Sequence, residues 1–115
     1  MQGSISQLVL NVVAGGALAV ARGVTSAGAY PSAGAGIRGV TRTSAAASGD
    51  LTPIDVIGTA LMESGGTVTA NGAVKCDASG RAIDQGGTGT IVGYALSAAG
   101  AAGTVVEVLL VGPTA

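Results

Sequence analysis

The sequence predicts an all-β protein, built as a small β-barrel or β-sandwich of short strands with Gly-rich turns. Three observations support this fold class. Val is the commonest of the large apolar residues, and β-branched side chains are favoured in strands. The 21 Gly residues are spread along the chain, as expected where short strands alternate with turns. No helix-length stretch carries the 3.6-residue apolar period of an amphipathic helix.

The first four predicted strands are apolar runs rich in Val, Leu and Ile. They lie at residues 5–13, 17–24, 37–42 and 54–61. Gly15-Gly16 separates the first run from the second, and a loop containing Pro31 separates the second from the third. The fourth run follows Pro53.

The last four predicted strands are shorter and are separated by clear turn signals. They lie at residues 67–70, 73–76, 91–96 and 105–111. Asn71-Gly72 predicts a two-residue hairpin turn, because a type I′ turn needs positive φ at both central residues. The run from Asp77 to Gly80 predicts a second tight turn.

A weak internal repeat adds a prediction about architecture. A shift of 54 residues places Gly36 to Gly58 on Thr90 to Gly112 without a gap, with six identical positions. A shift of 56 residues places Gly16-Ala17 on Gly72-Ala73. The repeat predicts two similar β-units packed together. The alternative is that a Gly/Ala-rich chain matches itself by composition.

Length and composition bound the domain organisation. The 115 residues fit one domain, and no long polar or proline-rich stretch divides them, so we expect a single β-rich domain over residues 1–115. The chain has no Phe or Trp and only two Tyr, so its core must consist of Val, Leu and Ile. Such a core favours an oligomer or a partner-bound subunit, because a small domain without large rings is only marginally stable.

Charge and residue types exclude several classes of function. A net charge of −1 with 11 charged residues gives no basic face, so we expect neither nucleic acid nor an anionic membrane surface as a partner. With no His and a single Cys, zinc sites and Cys-His catalysis are excluded. We therefore expect no catalytic residue, no cofactor and no metal, and the chain is predicted not to be an enzyme.

Several residues could have a functional role, but each of them is interpreted here as a structural residue. The run Gly34 to Gly39 fits the G-x-G-x-x-G pattern, but no predicted strand precedes it and no predicted helix follows, so it predicts no nucleotide site. Asp50 and Asp55 are interpreted as solvated turn acids rather than a catalytic pair. Cys76 is expected to be a small buried apolar residue, and Tyr94 is expected to pack in the core.

The apolar stretch from Leu8 to Ala21 ends in a small-x-small tripeptide, which is typical of a signal-peptide cleavage site. No Lys or Arg precedes it, and Asn11 and Gly15-Gly16 interrupt it. We therefore expect neither a secretory signal nor a membrane span, and we expect synthesis in the cytoplasm.

The last third of the chain carries a sequence of motifs that resembles a known family. The motifs are Gly72-Ala73-Val74, then Asp77-Ala78-Ser79-Gly80-Arg81-Ala82, then Ile91-Val92-Gly93-Tyr94-Ala95-Leu96, and then the closing strand from Ala102 to Leu110. In this order they resemble the capsid decoration (cement) proteins of tailed bacteriophages. Ile37 to Val40 followed by Ser48-Gly49-Asp50 looks like the first half's version of the pattern.

The resemblance implies a non-enzymatic virion structural protein. Its expected partner is the major capsid protein lattice, which it would decorate and stabilise on the outer surface of the capsid after synthesis in the host cytoplasm. It also implies a homo-oligomer, with a trimer preferred. The alternatives are another virion structural subunit, such as a tail or head-fibre component, and a cellular β-type binding module.

The N-terminal residues provide the only candidate contacts. Residues 1–6 contain Gly and Ser and precede the first apolar run, so they are predicted to form an N-terminal arm. Ile5, Leu8 and Leu10 are the candidate contacts to the capsid or to a neighbouring protomer, where the segment would add a strand to an exposed sheet edge. The alternative is that Leu8 to Val13 is the first core strand of the chain's own domain.

Overall fold

The computed structural model describes residues 5–114, and for Ser6 it describes the backbone alone. These residues form eight strands and no helix. The strands are β1 (Ser6–Val13), β2 (Gly23–Val24), β3 (Gly39–Thr41), β4 (Leu51–Glu63), β5 (Ala73–Cys76), β6 (Ala82–Asp84), β7 (Gly93–Ala95) and β8 (Val105–Leu110). Within the same residues, no helix is long and apolar enough to cross a membrane.

The strands form one antiparallel sheet with the order β2-β3-β4-β8-β7-β5-β6, and β1 pairs separately with β4. The two ends of this order approach each other, since the Gly23 N–H donates to the Gly80 carbonyl at 2.7 Å. The sheet therefore nearly closes into a small barrel. This confirms the predicted all-β class.

The long strand β4 joins the two halves of the fold. Its first part pairs with β1 and β3, and its second part pairs with β8. Pro53 is tolerated in the first part because β3 ends beside it, where the Pro53 carbonyl accepts the Arg42 N–H at 3.0 Å. Gly58 separates the two parts with φ of 108°, next to a register irregularity in the β1 pairing.

Residues 5–57 and residues 58–114, here called the first unit and the second unit, repeat the same hydrogen-bond pattern. Leu18 and Ala45 exchange two backbone bonds at 2.8 and 2.9 Å, and Val68 and Ala99 exchange two at 2.8 and 2.9 Å. Residues 18 and 68 are 50 apart, and residues 45 and 99 are 54 apart. Three more bonds recur at these offsets. The bond from Ala14 N to Asp50 O corresponds to that from Ser64 N to Thr104 O, and the bond from Ala21 N to Thr41 O corresponds to that from Asn71 N to Ala95 O. The bond from Arg38 N to Val24 O corresponds to that from Val92 N to Val74 O.

Backbone dihedrals and core positions follow the same correspondence. Ala21 and Asn71, which correspond, are the only non-Gly residues of the described chain with positive φ, at 63° and 64°. The cores also correspond: Val12, Leu18, Val24, Ala45, Ile54 and Val56 lie in one cluster, and Met62, Val68, Val74, Ala99, Val108 and Leu110 lie in the other. The two predicted β-units are thus present.

The register of the repeat differs from prediction near the N-terminus. The offset before the second strand is 50 residues, not 56, and it is 54 at Arg38 and Val92, because the second unit has four more residues in between. The intervening turns are equally long: the Gly28 N–H donates to the Thr25 carbonyl and the Gly80 N–H donates to the Asp77 carbonyl, each at 3.0 Å and at an offset of 52. Two residues are therefore added before the turn and two after it.

Several strand predictions were wrong in extent. The run 17–24 is a strand only at Gly23–Val24, and the run 67–70 contributes one isolated bridge at Val68. β6 was not predicted, because Ala82–Asp84 is short and carries little apolar signal. The predicted Asn71-Gly72 turn is displaced by one residue: the Gly72 N–H donates to the Thr69 carbonyl at 3.0 Å, so Ala70 and Asn71 are the central residues. The turn is not a hairpin, since β5 pairs with β6 and β7.

Candidate interaction surface

The three candidate contact residues lie at the start of β1 and are exposed. The Ile5 side chain is 58% exposed, although two hydrogen bonds fix its backbone to Thr59 of β4. The Ile5 N–H donates to the Thr59 Oγ1 at 2.7 Å, and the Thr59 N–H donates to the Ile5 carbonyl at 2.8 Å. Leu8 and Leu10 lie opposite Ile57 and Ile54 in the pairing with β4. The structure therefore places Leu8 and Leu10 on one strand of the chain's own sheet and Ile5 immediately before it.

β1 presents an edge that no other strand covers within the described residues, although Gly28 packs against the Val13 carbonyl at the end of this edge. It pairs only with β4, and the Ala14 N–H bond to Asp50 fixes which backbone groups face that strand. By alternation, the N–H groups of Val9, Asn11 and Val13 point away from β4. Such an edge is a template for an added strand.

Large apolar side chains are unusually exposed along this surface and along β8. Leu51 is 69% exposed and lies opposite Val13, which is 57% exposed. The other exposed large apolar residues are Ile5, Leu8, Val9, Leu10, Val20, Ile57, Tyr94, Leu96, Val105, Leu109 and Val111. So many in a small chain are typical of a protein that binds another molecule through its surface.

The Tyr94 prediction was wrong. Tyr94 is 42% exposed on the outer face of β7, opposite Leu109 of β8. Tyr30 is the ring that packs against a core cluster, and its hydroxyl accepts the Ala19 N–H at 2.8 Å. No sequence signal distinguished the two tyrosines, because each lies in a loop or a short strand.

A cleft of about 300 Å³ lies between the two units. Its lining residues are Val20, Ala21, Thr41, Arg42, Asp55, Leu61 and Val105. The Arg42 Nε lies 3.6 Å from an Asp55 carboxylate oxygen, and Asp55 is buried. The interpretation of Asp55 as a solvated turn acid was therefore wrong, whereas Asp50 is exposed and accepts two N–H groups of its own turn.

Two further groups are buried away from any catalytic arrangement. Cys76 lies in the second unit's core, as expected, and burial, with a smaller contribution from Asp77, raises the pKa of its thiol to about 12. Glu107 is also buried, and its Oε1 has no hydrogen-bond partner within the described residues. Among residues 5–114, no three His, Cys, Asp or Glu side chains cluster in a way that could hold a metal ion.

The geometry thus presents an open strand edge and exposed apolar faces, which suit binding to another protein. A family model described as phage cement protein matches residues 4–110. The chain belongs to the phage cement protein family. It is therefore a structural component of a phage virion.

A solved structure shares the fold of this cement-family chain. The N base of head fibre gp8.5 of bacteriophage phi29 superposes with a TM-score of 0.75 at 16% sequence identity, covering 94% of this chain and 97% of that one. At this identity the likeness shows the fold alone. No curated protein sequence matches the chain.

Proposed function

We propose that the chain is a non-enzymatic decoration protein that binds the major capsid protein lattice on the outer surface of a tailed-phage capsid. The observation that carries this proposal is the open edge of β1 with its exposed apolar side chains, in a chain of the cement family. A strand added to this edge would gain main-chain hydrogen bonds, and alternate side chains would provide the fit. Synthesis is expected in the host cytoplasm.

The grip on the capsid is proposed to use residues 1–6 as an arm together with Ile5, Leu8 and Leu10. Residues 1–4 of this arm lie outside the described residues. Leu8 and Leu10 share one face of β1 by alternation, although the register irregularities on both sides of Leu8 disturb its pairing. Repeated copies on a lattice convert weak single contacts into firm attachment, because neighbouring sites are held at high effective concentration.

Capsid binding by substituted proteins tests this grip. The double variant Leu8→Lys/Leu10→Lys is expected to bind undecorated capsids at least about tenfold more weakly, since it places two charges at a desolvated contact. Its melting temperature is expected to change little, because both side chains are exposed. Val111→Lys, at another exposed apolar position far along the chain, is the control.

Full capsid binding by the double variant would refute the role of these side chains. A variant lacking residues 2–4, which keeps the bonds between Ile5 and Thr59, tests the arm separately. Weaker binding by this truncated protein supports the arm, and unchanged binding refutes it.

The likeness to the gp8.5 base supports a second candidate, the base of a head fibre. The two functions differ in copy number. A decoration protein is present in many copies over the whole shell, and a fibre base is restricted to fibre attachment sites. Quantitative mass spectrometry of purified particles, relative to the major capsid protein, decides between them.

A further inference from the structure

Each unit has one face that lies against its counterpart inside the chain. On the first unit this face contains Ala21, Arg42 and Asp55, and on the second unit it contains Leu61, Glu63 and Val105. The Glu63 N–H donates to the Ala21 carbonyl at 2.9 Å, and the other residues line the cleft between the units. These contacts define how one unit docks on the next.

The corresponding residues on the outer sides of both units are exposed. At the offsets of 50 and 54, Asn11, Val13 and Leu51 of the first unit correspond to Leu61, Glu63 and Val105; we call them the front face. In the second unit, Asn71, Leu96 and Leu109 correspond to Ala21, Arg42 and Asp55; we call them the rear face. All six residues are exposed, and Leu51 and Val13 are among the most exposed apolar side chains of the chain.

We propose that the rear face of one copy binds the front face of a second copy, in the way that the first unit binds the second within the chain. The Asn71 carbonyl of one copy would accept the Val13 N–H of the next, as the Ala21 carbonyl accepts the Glu63 N–H. Both groups suit this bond, since the Val13 N–H points away from β4 and no backbone hydrogen bond among residues 5–114 uses the Asn71 carbonyl.

The chemistry of the two faces favours this partner over a polar one. The rear face has Leu96 and Leu109 at the two positions that the Arg42–Asp55 ion pair occupies in the internal contact. The front face supplies Leu51 opposite them, in the position of Val105. Two apolar faces are thus matched, and their burial would favour association.

The proposed contact joins unlike faces, so it is head-to-tail, and such contacts close into a ring if the rotation between copies allows it. It occupies the β1 edge at Val13 and leaves the edge at Val9, together with the side chains of Leu8 and Leu10, for the capsid, because these two side chains lie on the opposite face of β1 from Val13. The inference therefore does not depend on the proposed capsid binding, and it is tested without capsids.

Light scattering coupled to size-exclusion chromatography of the full chain tests the inference. The wild type is expected to have the mass of an oligomer, and Leu51→Lys and Leu109→Glu are each expected to have the mass of one chain. The double variant Leu51→Lys/Leu109→Glu is expected to regain the oligomer, since every head-to-tail contact then joins a Lys to a Glu. This recovery also shows that neither substitution prevents folding.

Ile57→Lys and Val111→Glu are the matched controls, because these corresponding residues are exposed in both units and belong to neither face. Both are expected to remain oligomeric. A monomeric wild type, single variants that stay assembled, or a double variant that stays monomeric would each overturn the inference. The last result would point to a two-fold contact in which each face meets itself.

Discussion

Cys76 illustrates how the interior of this protein sets the chemistry of a single residue. Its side chain is fully buried beside Ile37 in the second unit's core, and Gly23 packs so closely on the sulfur that a Cβ there would lie 2.7 Å from it. Desolvation of the thiolate is therefore the main reason why the pKa is raised. The sequence predicted the burial, since an unpaired Cys in a Val-rich strand behaves as a small apolar residue.

Cys76 is expected to make the stability of the protein fall at alkaline pH. The folded thiol has a pKa of about 12, whereas the ordinary pKa of a cysteine thiol is 9.0. The unfolded chain therefore loses its thiol proton first, so the free energy of unfolding decreases from about pH 9 upward, by at most about 1.4 kcal/mol per pH unit. Below pH 9 this contribution to stability is fully present.

Urea denaturation between pH 8 and about 11 measures this decrease, and Cys76→Val provides the control, because it removes the thiol and keeps an apolar side chain. The variant is expected to show a smaller decrease than the wild type. Equal decreases in both proteins would show that Cys76 is not responsible. Native Cys76 is also expected to resist thiol reagents until the chain unfolds.

Several residue interpretations failed because burial depends on contacts between distant parts of the chain. The cross-strand pair of Val40 and Asp55 in the first unit corresponds to the pair of Tyr94 and Leu109 in the second unit. The second unit covers Asp55, whereas no further unit covers Tyr94. Only the packing of the two units distinguishes them, and no local sequence pattern reports that packing.

At the scale of elements, the strands with alternating apolar residues were predicted well, and the short ones were not. The predicted run 73–76 coincides with β5, and 105–111 differs from β8 by one residue. The predicted run 54–61 lies inside β4, which extends back past Pro53 to Leu51. The run 17–24 failed because residues 17–22 make single bridges and turns rather than a ladder, although their composition suits a strand.

Two glycines at corresponding positions offer a test of how β4 is built. Gly58 and Gly112 have φ of 108° and 104°, a region that side chains disfavour. A Cβ at Gly58 would also lie 2.1 Å from the Ile5 carbonyl oxygen, whereas a Cβ at Gly112 would meet nothing within 4 Å. The local strain is thus similar, and only Gly58 adds a steric conflict with β1.

Gly58→Ala is therefore expected to reduce the free energy of unfolding by more than Gly112→Ala. Strain alone costs about 1–3 kcal/mol, and the displacement of β1 adds to it at Gly58. Denaturant unfolding of both variants gives the difference. Equal losses would mean that the backbone of Ile5 moves away without cost.

At the scale of the whole molecule, two similar units share one strand, and the first unit contributes residues to the second unit's core. β4 runs through both units, and Ile37 and Val40 of the first unit belong to the second unit's core cluster. Arg22 bridges the units, with Nη2 3.3 Å from a Glu63 carboxylate oxygen and Nη1 3.1 Å from the Ser79 carbonyl. The repeat is therefore one of structure and not of independent folding.

The chain is expected to unfold as one cooperative unit despite its repeat. Leu18 is buried in the first unit's cluster alone, so Leu18→Ala should remove about 2–5 kcal/mol from that unit. If β4 and the shared core residues Ile37 and Val40 couple the units, the second unit must lose the same stability. If the units were independent, the second unit would keep its own transition.

The two tyrosines report on the units separately, because Tyr30 lies in the first unit and Tyr94 in the second, and the chain has no Trp. Tyr94→Phe leaves Tyr30 as the fluorescent reporter, and Tyr30→Phe leaves Tyr94. Leu18→Ala is introduced into each tyrosine variant, and the double variant is compared with the tyrosine variant that keeps Leu18. This reference is needed because Tyr30→Phe itself removes the hydrogen bond from the Ala19 N–H. Leu18→Ala is expected to lower the denaturation midpoint by a similar amount with either reporter. A midpoint that moves for Tyr30 and not for Tyr94 would show that the units unfold independently.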